Sequence, residues 1–408
     1  MKSLRNLFVL VAMLAIPAFA QELTSDINLT VLDSSGNPIS GASASVTFEP
    51  TNSKASKNTS SSGSVAFRGL RPGGPYTIVV SFGGNSESLS NVSLTVGDTF
   101  RSNVTLSAGS LEEIVTVASK LNTNKDIGFS TSISSDDISK FSSVTRDLKD
   151  FVRLNPWSVA NDASDGQDAE LSIAGGGSRT NDILVDGASY NDDFGLNASG
   201  YPGQASPINL DSIEQLNVRV APSSIEYSNF EGGVIEVVTK GGTNDFKGSV
   251  YSYDRGDSFV GDSVDGRDID QEFDDTSEGF TLGGPIIKDK AFFFVAFESN
   301  DKTTPINYGP VGSGAPFSQP ITIEQVRQIQ TDTQSIYGFD PLLYSSSNSV
   351  TNENTTLRLD FILNDDHRLQ VNYRETDSEA LRGSNSNPFN YYFPSSEYFK
   401  PEQTESDG

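Results

Sequence analysis

Residues 213–240 read IEQLNVRVAPSSIEYSNFEGGVIEVVTK, and residues 278–297 read EGFTLGGPIIKDKAFFFVAF. Up to Lys240, two β-branched runs flank a Pro/Ser turn, as at the end of a compact soluble domain. Val, Ile and Thr favour extended backbone because their branched Cβ restricts χ1. Beyond Gly241-Gly242 the chain becomes Tyr/Phe-rich, in loosely alternating segments. Their length, about ten residues, matches the ~9–11 that a tilted strand needs to cross a bilayer. A globular domain therefore feeds directly into strands of membrane-crossing length.

Working outward, five such runs lie near 246–255, 278–287, 291–300, 355–363 and 368–377. Leu357, Leu359, Phe361 and Leu363 alternate with Thr356, Arg358, Asp360 and Ile362; Leu369, Val371 and Tyr373 alternate with Arg368, Gln370, Asn372 and Arg374. One face suits lipid and the other a polar lumen. Phe293, Val295 and Phe297 share a face, while Phe292 and Phe294 point inward. The connections run long (256–277), short (Lys288-Asp289-Lys290), long (301–354), short (Asn364 to His367). Outer-membrane barrels show that alternation, with long loops outside and short turns in the periplasm. A second soluble sandwich does not predict it. Five strands cannot close a barrel with a filled lumen, which has ~22, and an open edge in lipid leaves backbone groups unsatisfied. The expectation is an N-terminal fragment of a longer protein.

Composition narrows the function. The 408 residues carry 28 Lys+Arg against 54 Asp+Glu, a net charge of -26. Nucleic acid is a poor partner for such a surface. No cysteine and a single histidine exclude disulfides, thiol chemistry and most metal or triad sites. No catalytic residue or cofactor is assigned, and an enzyme is not expected. Asp257, Asp262, Asp265, Asp268, Asp270, Glu272, Asp274 and Asp275 crowd one loop, but their spacing is not that of an EF-hand, so no metal site is assigned. His367 falls in a short turn.

At the N-terminus, Lys2 and Arg5 precede the apolar run Leu7 to Ile16 and the Ala18-Phe19-Ala20 cleavage site. This is a secretory signal peptide over 1–20, with a mature start at Gln21. Residues 21–107 read as a small Ig-like β-sandwich, with Ile27, Leu29 and Val31 alternating and turns at Gly36-Asn37-Pro38, Gly63 and Pro72-Gly73-Gly74. A linker, 108–125, contains Leu111 to Ala118; Ile114, Val115, Thr116, Val117 and Ala118 form an extended, β-prone insert. It reads either as the last strand of the sandwich or as a segment that adds to a partner's sheet edge.

Residues 126–242 read as α+β. Asp136-Asp137 cap a short helix, and Asp147 to Leu154 places Leu148, Phe151 and Val152 on one helical face before Asn155-Pro156. Short strands follow at 170–173, 183–185 and 213–220. Gly175-Gly176-Gly177 lacks the lysine of a phosphate loop and reads as a turn. The loop 189–204 offers Tyr190, Asn191, Asp192, Asp193, Phe194 and Tyr201 as candidate ligand contacts, on the premise of exposed aromatics among flexible polar residues. An ordinary polar loop is the alternative.

Several of these stretches resemble a known family. Val31-x-Asp33-x-x-Gly36-x-Pro38-Ile39-x-Gly41-Ala42 and Gly63-x-Val65-x-Phe67-x-x-Leu70-x-Pro72-Gly73-Gly74-x-Tyr76 resemble the carboxypeptidase regulatory-like domain, a non-catalytic module. Ile183-Leu184-Val185-Asp186-Gly187, Ile213 to Val218 and Gly232 to Lys240 resemble the plug of TonB-dependent outer-membrane receptors. Leu282 to Lys290 with Phe292-Phe293-Phe294 resembles the first barrel hairpin of their Oar-like branch. Ile173-Ala174-Gly175 and Ala221-Pro222 replace the Ile-Arg-Gly and Gly-Pro of many family members, so siderophore-specific plug residues do not transfer. The resemblance implies an outer-membrane transporter, with Ile114 to Ala118 as the TonB box. It implies an extracellular ligand, a TonB-like periplasmic energy-transducing partner, and lipid around the barrel. Adhesion or protein export on the same scaffold is the alternative.

Overall fold

The computed structural model describes residues 24–106, 129–143, 145–160, 170–192, 197–203, 205–225, 227–259, 263–264, 267–268, 273–345, 347–364, 367–381, 388–393 and 403–407. The expected signal peptide, the TonB-box-like segment, Asp193 and Phe194 lie outside these, as do residues 260–262, 265–266 and 269–272 of the acidic loop.

Seven strands, β1 (Ser25–Asp33), β2 (Ser43–Phe48), β3 (Ser53–Asn58), β4 (Ser64–Leu70), β5 (Gly73–Phe82), β6 (Asn85–Leu94) and β7 (Thr99–Leu106), form the N-terminal sandwich. One sheet runs β4-β1-β7 and the other β3-β2-β5-β6. β1 pairs with β4 antiparallel and with β7 parallel. The alternation of Ile27, Leu29 and Val31 puts all three in the shared core with Val46, Phe67, Ile78 and Val80.

The middle domain has strands β8 (Phe129–Ser134), β9 (Ser158–Ala160), β10 (Leu171–Ile173), β11 (Asp182–Val185), β12 (Ala188–Ser189), β13 (Ile213–Val220) and β14 (Gly233–Thr239). Its main sheet runs β12-β11-β14-β13-β8, so β8 is an edge strand. Helices α1 (Ser135–Lys140) and α2 (Lys149–Val152) help close its core. Leu148, Phe151 and Val152 are buried there with Ile173, Leu216, Val218 and Val237. β14 is buried along its whole length, as a strand covered on both faces should be.

The N-cap of α1 is Ser134 rather than an aspartate. Its Oγ accepts from Asp137 N at 3.2 Å, and Asp137 Oδ2 accepts from Ser134 N at 3.1 Å. This reciprocal box satisfies two orphan donors. Ser134→Ala is expected to cost about 1 kcal/mol, read by urea unfolding through the emission of Trp157, the chain's single tryptophan. An unchanged midpoint counts against the box.

The third region is an antiparallel meander that we call the wall. Its strands are β15 (Lys247–Gly256), β18 (Asp274–Ile287), β19 (Ala291–Pro305), β22 (Ser347–Ile362), β23 (Arg368–Leu381) and β24 (Gln403–Asp407), hydrogen-bonded in that order. Two-residue strands β16 (Ser263–Val264) and β17 (Arg267–Asp268) pair in the first long loop. β18, β19, β22 and β23 have 14, 15, 16 and 14 residues, beyond the span expected of them. The excess lies at the long-loop ends, as in 299–305 and 347–354, where both faces are polar and the alternation signal disappears.

The wall is polar inside and apolar outside. Asn352, Asn354, Thr356, Arg358, Arg374, Thr376 and Ser378 are buried against the middle domain. Leu357, Leu369, Val371 and Tyr373 on the opposite face are 37–49% exposed. Water would favour the reverse; lipid favours this one. Phe292 and Phe294 are buried, as their inward register requires.

The long loop between β19 and β22 holds more structure than its composition announces. Strands β20 (Tyr308–Val311) and β21 (Phe317–Thr322) pair in parallel, and helix α3 (Ile323–Tyr337) follows. A capping box, Thr322 with Gln325, starts α3, and Gly338 at φ 66° ends it. Both signals stand in the sequence. Among the described residues no helix is long and apolar enough to cross a membrane.

Candidate functional site

The seam between the middle domain and the wall carries three polar fasteners. The first centres on Asp186, in the turn after β11, at a φ of 46°. Its carboxylate accepts from Thr239 N at 2.9 Å and Thr239 Oγ1 at 2.6 Å, both at the end of β14. From the wall, Arg374 Nη2 donates to it, and Arg358 Nη1 stands 3.9 Å away. Arg358 also donates to Thr239 O at 2.8 Å and, through Nε and Nη2, to Asp360 at 2.9–3.1 Å. Burial pushes the Asp186 carboxyl up, but the two guanidiniums and the Thr239 donors outweigh it and hold the group below its ordinary value.

The second fastener is Arg146. It donates to Asp211 at 2.7 Å and to the wall's Glu298 at 3.0 Å. Its guanidinium lies 4.5 and 4.6 Å from the ring centres of Tyr251 and Tyr253 on β15. Tyr251 in turn donates to Glu298 at 2.7 Å. The third is uncharged. Asn352 and Asn354 donate to Ser206 O at 3.3 and 3.0 Å, and Tyr190 meets Thr376 Oγ1 at 3.1 Å.

The predicted ligand loop therefore needs correction. Tyr190 and Tyr201 are 0% and 1% exposed, so the premise of exposed aromatics does not hold for them. Tyr190 is a seam residue. Tyr201 donates to Asp147 at 2.6 Å under Lys149 Nζ, 4.1 Å from its ring centre, inside the domain. Burial, then the Asp147 charge, pushes its hydroxyl well above the usual range. Asn191 accepts from Ile183 N at 2.8 Å and donates to Asp182 at 2.7 Å, and Asp192 accepts from Asn197 N. These bonds fold the loop onto its own strand. A buried tyrosine with one hydroxyl partner and an exposed one look alike in a single sequence.

Sequence reading also missed the joint to the sandwich. Arg219 Nη2 donates to Val96 O at 2.6 Å, and Val96 N donates to Gln215 Oε1 at 3.0 Å. Glu236 holds Arg219 at 2.6 Å, and Asn244 N donates to Pro50 O at 2.8 Å. Arg219 stands out of phase with Leu216 and Val218 in the strand, and nothing in the sequence names its partner.

Among the described residues, the seam holds no activated nucleophile or proton-transfer pair. It is a set of exchangeable hydrogen bonds and ion pairs between two domains. Three domain families match the same order of parts. Residues 26–107 match the carboxypeptidase regulatory-like domain, 123–235 the TonB-dependent receptor plug domain, and 238–311 an outer membrane beta barrel domain. In all three parts, and in their order, the chain is similar to the TonB-dependent receptors.

The chain is 35% identical over 137 residues to the TonB-dependent transporter Oar of Myxococcus xanthus, covering 31% of this chain and 12% of that protein. It is 29% identical over 188 residues to a probable TonB-dependent siderophore receptor, PirA, of Acinetobacter baumannii, covering 43% of this chain and 23% of that one. The chain thus spans less than a quarter of either relative's length. Among solved structures, the outer membrane transporter YddB of Escherichia coli aligns at 11% identity and a TM-score of 0.46, over 63% of this chain and 34% of that one. Ferric citrate transporter FecA aligns at 12% and 0.37, over 62% and 40%. Plug and barrel families of this kind place the receptor in the outer membrane.

Proposed function

We propose that this chain supplies the regulatory sandwich (21–107), linker (108–125), plug (126–242) and first barrel strands (243–408) of a transporter that imports an extracellular ligand. A TonB-like periplasmic protein engages Ile114 to Ala118 and relays inner-membrane energy to the plug. A signal peptide over residues 1–20 carries the chain across the inner membrane. One observation carries the reading: a folded plug is tied by polar bonds to the buried face of a sheet whose other face is apolar. Such a seam holds at rest and exchanges partners under load, because each bond it loses can be remade with water.

Deleting 111–118 from the full-length receptor tests this. Surface binding of ligand stays at the wild-type level, and energised uptake falls to background. Uptake at the wild-type rate in the deletion would remove the box assignment.

A further inference from the structure

Between the sandwich and the short-turn end of the wall lies a cavity of about 650 Å³. That volume suits a small-molecule ligand. Its lining contains five cations: Lys57, Arg68 and Arg71 from the sandwich, Arg358 and Arg368 from the wall. Two carboxylates also line it, and both are engaged. Asp360 is taken by Arg358 at 2.9 Å, and Asp186 by Arg374 and Thr239. The remaining cations gather in a chain whose net charge is -26.

Arg71 is the sharpest case. Its Nε is buried and has no hydrogen-bond partner. Its guanidinium lies 5.3 Å from the Phe48 ring centre. Burial, then the Arg358 charge, holds it below the ordinary arginine value against the pull of Asp360 and Glu214. The guanidinium is thus a buried cation on the cavity's lining, with five N–H donors to distribute. Arg368 approaches from the other domain: it hydrogen-bonds the Tyr76 hydroxyl, which itself donates to Arg71 O at 2.7 Å. Cations reaching one space from two domains suit a tetrahedral group with oxygens in several directions, and arginine forks are the usual partners of such groups.

We propose that this cavity binds a phosphate group, held between Arg71 of the sandwich and Arg368 of the wall, and that the bound group fastens the two domains together. Two sources carry that chemistry. One is a small free phosphate. The other is an anionic phospholipid headgroup, since the cavity also borders Phe361 and Leu369, whose register is that of the wall's outward face.

The test uses the full chain and two substitutions, Arg71→Gln and Arg368→Gln, separately and together. Thermal unfolding is followed in neutral detergent with inorganic phosphate against chloride at equal ionic strength, and in phosphatidylglycerol against phosphatidylcholine nanodiscs. A ligand that binds only the folded state raises the midpoint saturably, here by a few degrees. A phosphate-dependent rise in detergent that the double variant lacks assigns the free anion. A rise confined to phosphatidylglycerol discs, and lost in the double variant, assigns the headgroup. No rise in either medium, or an equal rise in the double variant, overturns the proposal.

Discussion

Asp186→Ala is expected to release the plug from the wall and to destabilise it by about 3–5 kcal/mol, the usual cost of stranding a buried charge. Here the stranded group is Arg374; Arg358, which faces the same carboxylate from the adjacent wall strand at 3.9 Å, loses that charge but keeps Asp360, and both arginines are buried. Thr239 N and Oγ1 lose their acceptor as well. The readout is urea unfolding of the receptor in detergent, followed by Trp157, which stacks on Phe129 of the plug's edge strand at 5.6 Å. A midpoint within error of wild type would show that the pair contributes nothing net. The same group gives a pH dependence. Its folded pKa lies below the unfolded value, so its contribution is complete above the ordinary carboxylate range. That contribution fades as acid carries the pH down toward the folded pKa. In Asp186→Ala the corresponding part of the acid slope disappears.

Gly232→Ala is expected to abolish the native plug. A Cβ there would sit 2.1 Å from the backbone Ile173 O, far inside contact distance, and 3.3 Å from the side-chain Asn181 Oδ1. Ile173 cannot retreat, because β10 is hydrogen-bonded to β9 and the Ile173 side chain is fully buried in the core. Separation of β10 from the start of β14 is the remaining escape, and it empties the packing around Ile173. Overpacking in a tight core typically costs 1–3 kcal/mol and more where backbone must move. Limited proteolysis in detergent reports the result: strands β10 and β14, expected to be protected in wild type, become cleavable in the variant. Equal protection of the two would mean the chain accommodates the methyl group by an unseen shift.

The two substitutions touch features of opposite legibility. Gly232-Gly233 stood in the plug-like run and drew notice at once. Asp186 also stood in a recognisable turn, Asp186-Gly187, but its partners Arg358 and Arg374 lie more than 170 residues on, in strands whose inner face looks only generically polar. Alternation tells which face a residue occupies and not whom it meets. The outward leucines of β22 and β23 were legible for the complementary reason: lipid imposes one chemical demand along the whole face. Where lipid ends the pattern ends, so the strands ran longer than periodicity indicated. Helix α3 went unread although Thr322, Gln325 and Gly338 announce it, because a long polar loop between barrel strands was a sufficient description of 301–354. Tyr190 and Tyr201 were misplaced for want of a third dimension. Their neighbours are polar in sequence and become closed turns only when Asn191 and Asp192 bond back to the chain.

The linker after Leu106 leaves the sandwich from β7 and enters the plug at β8, and both are edge strands. Tension between those two points is therefore borne by one ladder on each side. β7 pairs with β1 over eight residues, whereas β8 is six residues long and pairs in its sheet with β13. The shorter ladder is the mechanical fuse. A tug yields first at Phe129, leaving the sandwich whole and its grip on Arg219 and Gln215 intact as a backstop.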